Sequence, residues 1–238
     1  MSVEGVHMRI FRFAISVTLV VSAPATAATR SFGIESFTKV RIEGPYKVTL
    51  ATGVAPFAKA SGSATALDRV AIETRGDTLV VHTDPSAWGG YPGEDPGPVE
   101  VVVGTHDLTS ADLTGAGSLA IDHVRGLSFA LSVQGSGAAA IEDAAADQLE
   151  VSLAGTASAK LKGRALKFTA LVRGLSSLDA ANLASPDTHI TADGSATVDA
   201  NATDTARVDA WGPATIRLSG RPACTLKVTG STSVSGCR

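Results

Sequence analysis

Lys160, Asp179, Asp199 and Arg217 follow one another at intervals of 19, 20 and 18 residues, two carboxylates bracketed by two cations. On successive coils of a stacked β structure the two carboxylates would stand about 5 Å apart. Retaining glycosidases hold their nucleophile and their acid/base at that separation, so the pair raises a polysaccharide-cleaving activity. The preferred reading is an outward ladder, in which the flanking cations offset Asp–Asp repulsion at little energetic gain. Trp211 is the aromatic near enough to serve as a sugar platform, and it serves equally well as the cover of a corner.

Other reactive arrangements are missing. Glycine runs such as Gly135-Ser136-Gly137 lack the Lys-Ser/Thr of a P-loop and do not form G-x-G-x-x-G at the start of a helix. There is no G-x-S-x-G elbow, no H-E-x-x-H and no nine-residue Asp-bearing calcium repeat. Cys224 and Cys237 are the two cysteines, and an even pair in an exported chain is most simply a disulfide. His82, His106, His123 and His189 are too scattered to complete a metal site, so neither a metal nor a cofactor is expected.

The intervals of the ladder belong to a longer repeat. Gly115, Gly135, Gly155, Gly174, Gly194, Gly212 and Gly230 recur every 18 to 20 residues. Positions four and two before each glycine, and four and six after it, are apolar or small, as in Leu131, Val133, Ala139 and Ile141 around Gly135. Polar residues dominate between them. Alternation on both sides of a glycine describes two strands, each with one buried face, joined at a corner. A unit this short cannot bury its face alone and must stack on the next. Glycine suits the corner because a sharp bend calls for positive φ, and the residue two further on is small, as in Gly137, Ala157 and Ala196. The expected fold is therefore all-β, a single-stranded parallel β-helix (β-solenoid) of about seven regular turns, roughly 34 Å long. A β-sandwich is the rival, but it would not need one glycine offset seven times.

Upstream, residues 37–44, 46–52, 69–83 and 99–104 read as strands of an N-terminal β region, with Arg75-Gly76-Asp77 as a hairpin turn. A Gly/Pro-rich loop at 84–98 carries Trp88 and Tyr91, either as a contact patch or, preferably, folded over the N-terminal end of the rod. Residues 1–28 have the layout of a cleaved signal peptide: Arg9 and Arg12, an apolar run over 13–21, then Ala25 and Ala27 in an A-x-A arrangement. That run is too short to span a bilayer. Removing Glu4, Arg9 and Arg12 with the leader leaves 18 basic against 22 acidic residues, a net charge of −4. Without basic clusters such a chain is no nucleic-acid binder. The expected organisation is a leader at 1–28, the N-terminal β region and loop at 29–104, and the repeats at 105–238, closed by the disulfide.

The stretches FTKVRIEGPYKVTLATG and DTLVVHT, the glycine-small-Ser/Thr corners and the ending PACTLKVTGSTSVSGC run from Phe37 to Cys237. Together they resemble the bacterial auto-transporter adhesin head family, the GIN domain. Members typically repeat Gly-Ser-Gly at the corner, which this chain keeps at Gly135-Ser136-Gly137 and replaces by Gly174-Leu175-Ser176 and Gly212-Pro213-Ala214. The resemblance implies an exported β-helical domain with adhesion as its inferred role, and it brings no catalytic residues. The expected function is a non-enzymatic binding or adhesion module of the Gram-negative envelope, in the periplasm or on the outer surface. Its partner would be an envelope glycan or a cell-surface protein, met through Trp88, Tyr91, Lys160, Asp179, Asp199 and Arg217. The alternatives are a polysaccharide-active enzyme using Asp179 and Asp199, and a purely structural envelope protein.

Overall fold

The computed structural model describes residues 28–86 and 97–238. The expected leader, apart from Ala28, lies outside them, and so do Trp88 and Tyr91. The N-terminal strands are β1 (Ala28–Phe32), β2 (Lys39–Glu43), β3 (Lys47–Thr52), β4 (Phe57–Gly62), β5 (Val70–Arg75), β6 (Thr78–Thr83) and β7 (Glu100–Thr105). One helical turn, α1 (Ala64–Leu67), starts at Ser63, whose hydroxyl accepts from the Ala66 N–H. The repeats supply β8 (Ser110–Gly115), β9 (Ser118–Gly135), β10 (Ala138–Gly155), β11 (Ser158–Gly174), β12 (Ser177–Asp193), β13 (Thr197–Trp211), β14 (Thr215–Ser219), β15 (Ala223–Thr229) and β16 (Ser233–Ser235).

Each long strand from β9 to β13 is one coil bent into two arms. In β9, Leu119 and Ile121 point inward from the first arm, and Phe129, Leu131 and Val133 from the second. Successive coils pair in parallel, with Leu131 beside Val151 and Val151 beside Ala170. Every coil thus covers the apolar face of its neighbour, which is what the alternation demanded. Gly115, Gly135, Gly155 and Gly174 lie against one another along a single edge. The small residues that follow them are buried, Ala157, Ser176, Ala196 and Ala214 at 1% exposure each. Their carbonyls accept N–H bonds from the next coil, as in Ser177 to Ala157 at 2.9 Å and Thr215 to Ala196 at 2.9 Å. A larger side chain would have no room there.

The second bend interrupts the alternation. Ala146 and Leu149 are buried with Asp147 and Gln148 exposed between them, and Ala165 and Phe168 repeat the pattern around Leu166 and Lys167. Six residues before each corner glycine, Phe129, Leu149, Phe168, Thr188, Ala206 and Cys224 form an inward column that the sequence reading passed over.

The solenoid makes about six turns instead of seven. The last repeat keeps its strand pairing, β15 on β13 and β16 on β14, and among the described residues no further strand pairs with β15 or β16. Its inward columns are consequently open, with Leu226 at 46% and Val228 at 40% exposure. The Cys224–Cys237 disulfide does form, with Cα atoms 5.7 Å apart, and ties this final coil to the chain end. Closing a loop of this length contributes about 3 kcal/mol in the chain-entropy model. Because a solenoid frays from its ends, Cys224→Ser with Cys237→Ser should remove amide-exchange protection from 223–237 and leave that of β9 to β12 intact. Equal loss throughout would show that the bridge stabilises the whole rod.

At the other end chain order and spatial order part. β2, Gly44 and β3 form a coil that pairs with β8 and β9. β6 and β7 stack outside it, parallel to β2 and β3. Antiparallel neighbours, β5 on β6, then β4 and β1 beyond β7, end the stack and block further parallel addition. The chain must therefore pass back over the β2/β3 coil at residues 106–109 to begin β8. The Arg75–Asp77 segment is the β5–β6 turn, as expected, and the Asp77 carboxylate is held by Lys39 at 3.0 Å.

Candidate functional site

Equal coil lengths turn a sequence interval into a spatial column. Lys160 registers with Asp179, Asp179 with Asp199, and Asp199 with Arg217, all outward from the first arm. Lys160 Nζ lies 3.4 Å from Asp179 Oδ2. Arg217 holds Asp199 with two parallel bonds, Nε to Oδ1 at 2.5 Å and Nη2 to Oδ2 at 2.8 Å. The bond from Asp199 pushes the Arg217 guanidinium above its usual range. Asp179 Oδ1 also accepts from the Ala181 N–H at 3.3 Å. Each carboxylate thus has its own cation. A glycosidase pair needs one carboxyl free to donate a proton and the other free to attack, whereas here each carboxylate is occupied by a cation.

Beside the ladder the same face dips. Ala120, Ala138, Ala140 and Ser158 floor a shallow trough of about 410 Å³, with Lys47 and the Lys160–Asp179 pair at its rims. Lys47 is itself paired with Glu100 at 2.7 Å. Trp211 stands elsewhere: it registers between Asp193 and Thr229 on the second arm, across the glycine edge from Asp199. It does not form a platform over the carboxylates.

The second arm carries a cluster the sequence reading missed. Asp209 Oδ2 accepts from His189 Nε2 at 3.0 Å and from Arg207 Nε at 3.2 Å. The His189 bond, with that of Arg207, holds the Asp209 carboxyl below its usual range against the opposing effect of burial. Arg207, Asp209 and Trp211 share one outward face of β13, with Val208 and Ala210 inward between them. The signal was legible: His189 and Arg207 both stand five before a corner glycine, so they are neighbours on adjacent coils, and Asp209 is two residues from Arg207. Among the described residues no group of three or more His, Cys, Asp or Glu could hold a metal ion.

Several solved structures share the fold. A putative adhesin from Bacteroides fragilis superposes with a TM-score of 0.78 at 17% identity, covering 88% of this chain and 96% of its own. A putative lipid binding protein from Parabacteroides distasonis gives 0.71 at 18% identity, over 89% and 96% of the two chains. A putative adhesin from Parabacteroides merdae gives 0.70 at 17%, over the same shares. No curated protein matches the chain. The family model described as putative auto-transporter adhesin, head GIN domain, matches residues 36–222. The glycine corners from Gly115 to Gly212 lie within that match, and the chain belongs to the auto-transporter adhesin head, GIN domain, family.

Proposed function

We propose that the protein is an exported, non-enzymatic binding module of the bacterial envelope that meets a glycan or cell-surface protein through its rigid outer faces. The observation that carries this reading is the state of the ladder: Asp179 and Asp199, the pair at glycosidase spacing, are each committed to a cation. In-register coils also fix the backbone positions from which outward side chains project, which lowers the ordering cost of binding and favours recognition by a preformed surface. The family, the expected leader and the disulfide support export, since such bridges persist in oxidising compartments. Among the described residues no helix is long and apolar enough to cross a membrane.

The test is a glycan and surface-protein array probed with the mature chain, with product analysis on every positive spot. Retention without released fragments is expected, and Asp179→Asn with Asp199→Asn should leave both the fold and the absence of products unchanged. Oligosaccharide release by the wild type, abolished in that double variant, would reverse the reading in favour of the enzyme.

A further inference from the structure

The return of the chain over the β2/β3 coil leaves a hollow. Thr52, His106, Asp107, His123 and Arg125 wall a cleft of about 310 Å³, brought together from three segments far apart in sequence. A second hollow of about 620 Å³ shares Arg125 and continues past Asp143, Ala145 and Gly163 to Arg164. The wall is fixed in place. Asp122 accepts from the Thr52 N–H at 3.0 Å and from the His123 N–H at 2.6 Å, and its Oδ2 lies 3.1 Å from His123 Nδ1.

Register places Arg125, Ala145 and Arg164 in one outward column. The two arginine backbone positions are therefore two coil spacings apart, about 10 Å, with only the methyl group of Ala145 between them in the column. Both are exposed, and neither side chain has a partner among the described residues. Lys160, Arg207 and Arg217 on the other faces, by contrast, are all engaged by carboxylates. Asp107 and Asp143 lie in the same two hollows as free acceptors.

We propose that this double hollow is a binding site for an acidic glycan carrying carboxylates on alternate sugars. Arg125 and Arg164 each take one carboxylate through the planar fork of the guanidinium, and Asp107 and Asp143 accept hydrogen bonds from sugar hydroxyls. The spacing of the arginines corresponds to a disaccharide repeat laid along the rod. Lipid is disfavoured because the larger apolar residues that line the hollows, Leu108 and Val124, are buried at 3% and 1% exposure and offer no slot for an acyl chain. A nucleic acid would need a denser array of cations than two guanidiniums. The inference rests on the binding-module reading and names its site and ligand class.

Calorimetry of the mature chain with hyaluronan oligosaccharides, maltooligosaccharides of equal length, phosphatidylglycerol vesicles and inorganic phosphate tests it. Binding is expected for the hyaluronan oligosaccharides alone, weakening as salt rises. Arg125→Ala and Arg164→Ala should each cost about tenfold in affinity, the scale of one charge-assisted hydrogen bond. Lysine at both positions should restore part of the loss. Arg41→Ala with Lys59→Ala, which removes the same charge from exposed sites elsewhere, should bind as the wild type. Thermal melts matching the wild type establish that the variants fold. Equal binding by wild type and the Arg125/Arg164 double variant, or a preference for vesicles, phosphate or the neutral oligomer, would overturn the proposal. If the wild type holds other glycans or proteins on the array but not the acidic oligomer, this site assignment fails and the binding module stands. If it holds nothing, both fail.

Discussion

Gly155→Ala is expected to destabilise the protein by roughly 3 kcal/mol, about three times the loss from Gly76→Ala, although both glycines have positive φ. The two positions separate backbone strain from stacking. Gly76 has φ +64° at the β5–β6 turn with nothing within 4 Å of an added Cβ, so alanine there meets the left-handed penalty alone, about 1 kcal/mol. Gly155 has φ +96° and a Cβ would stand 2.6 Å from the Gly135 carbonyl oxygen, a backbone atom that cannot swing aside. The Leu175 N–H donates to the Gly155 carbonyl at 2.8 Å, so displacing this corner also disturbs the coil beyond. Urea unfolding of the two variants against wild type measures the difference. Equal shifts in midpoint would mean that glycine is needed for the bend only, and not for the close approach of one corner to the next.

The second large effect belongs to the column that alternation does not reveal. Phe168 is 1% exposed and lies between Leu149 and Thr188 on the neighbouring coils. Truncation to alanine removes most of a ring from a space lined by inward side chains on coils that ladder hydrogen bonds hold in register, so the cavity cannot fully collapse. A loss of about 3–5 kcal/mol is expected for Phe168→Ala. Leu166, two residues earlier on the same strand, is 62% exposed, and Leu166→Ala should fall within about 0.5 kcal/mol of wild type. Chemical denaturation of both variants reads this directly. A strictly alternating strand would place the two side chains on one face and predict similar losses.

Both effects bear on recognition. A rod of stacked coils presents outward side chains at fixed intervals, and the corners and inward columns are what hold those intervals constant. Weakening Gly155 or Phe168 should therefore blur the spacing between Arg125 and Arg164, whose column crosses β9 to β11, without touching either arginine.

Periodicity in the sequence determined the stack of glycine corners, the inward columns beside them and the order Lys160, Asp179, Asp199, Arg217 along one face. These share one physical origin. When coils of nearly equal length stack in parallel, residues one period apart become neighbours, so a linear interval is already a contact. Contacts with no such interval were decided only by the tertiary structure. Gly44 meets Gly115 across 71 residues because β6 and β7 were added outside β2 and β3, and the chain had to return over them. The cleft around His106, His123 and Arg125 is a product of that return. The open face of Leu226 and Val228 has the same kind of cause: their pattern asks for burial, but burial depends on a further coil, and no described strand pairs with β15 on that side.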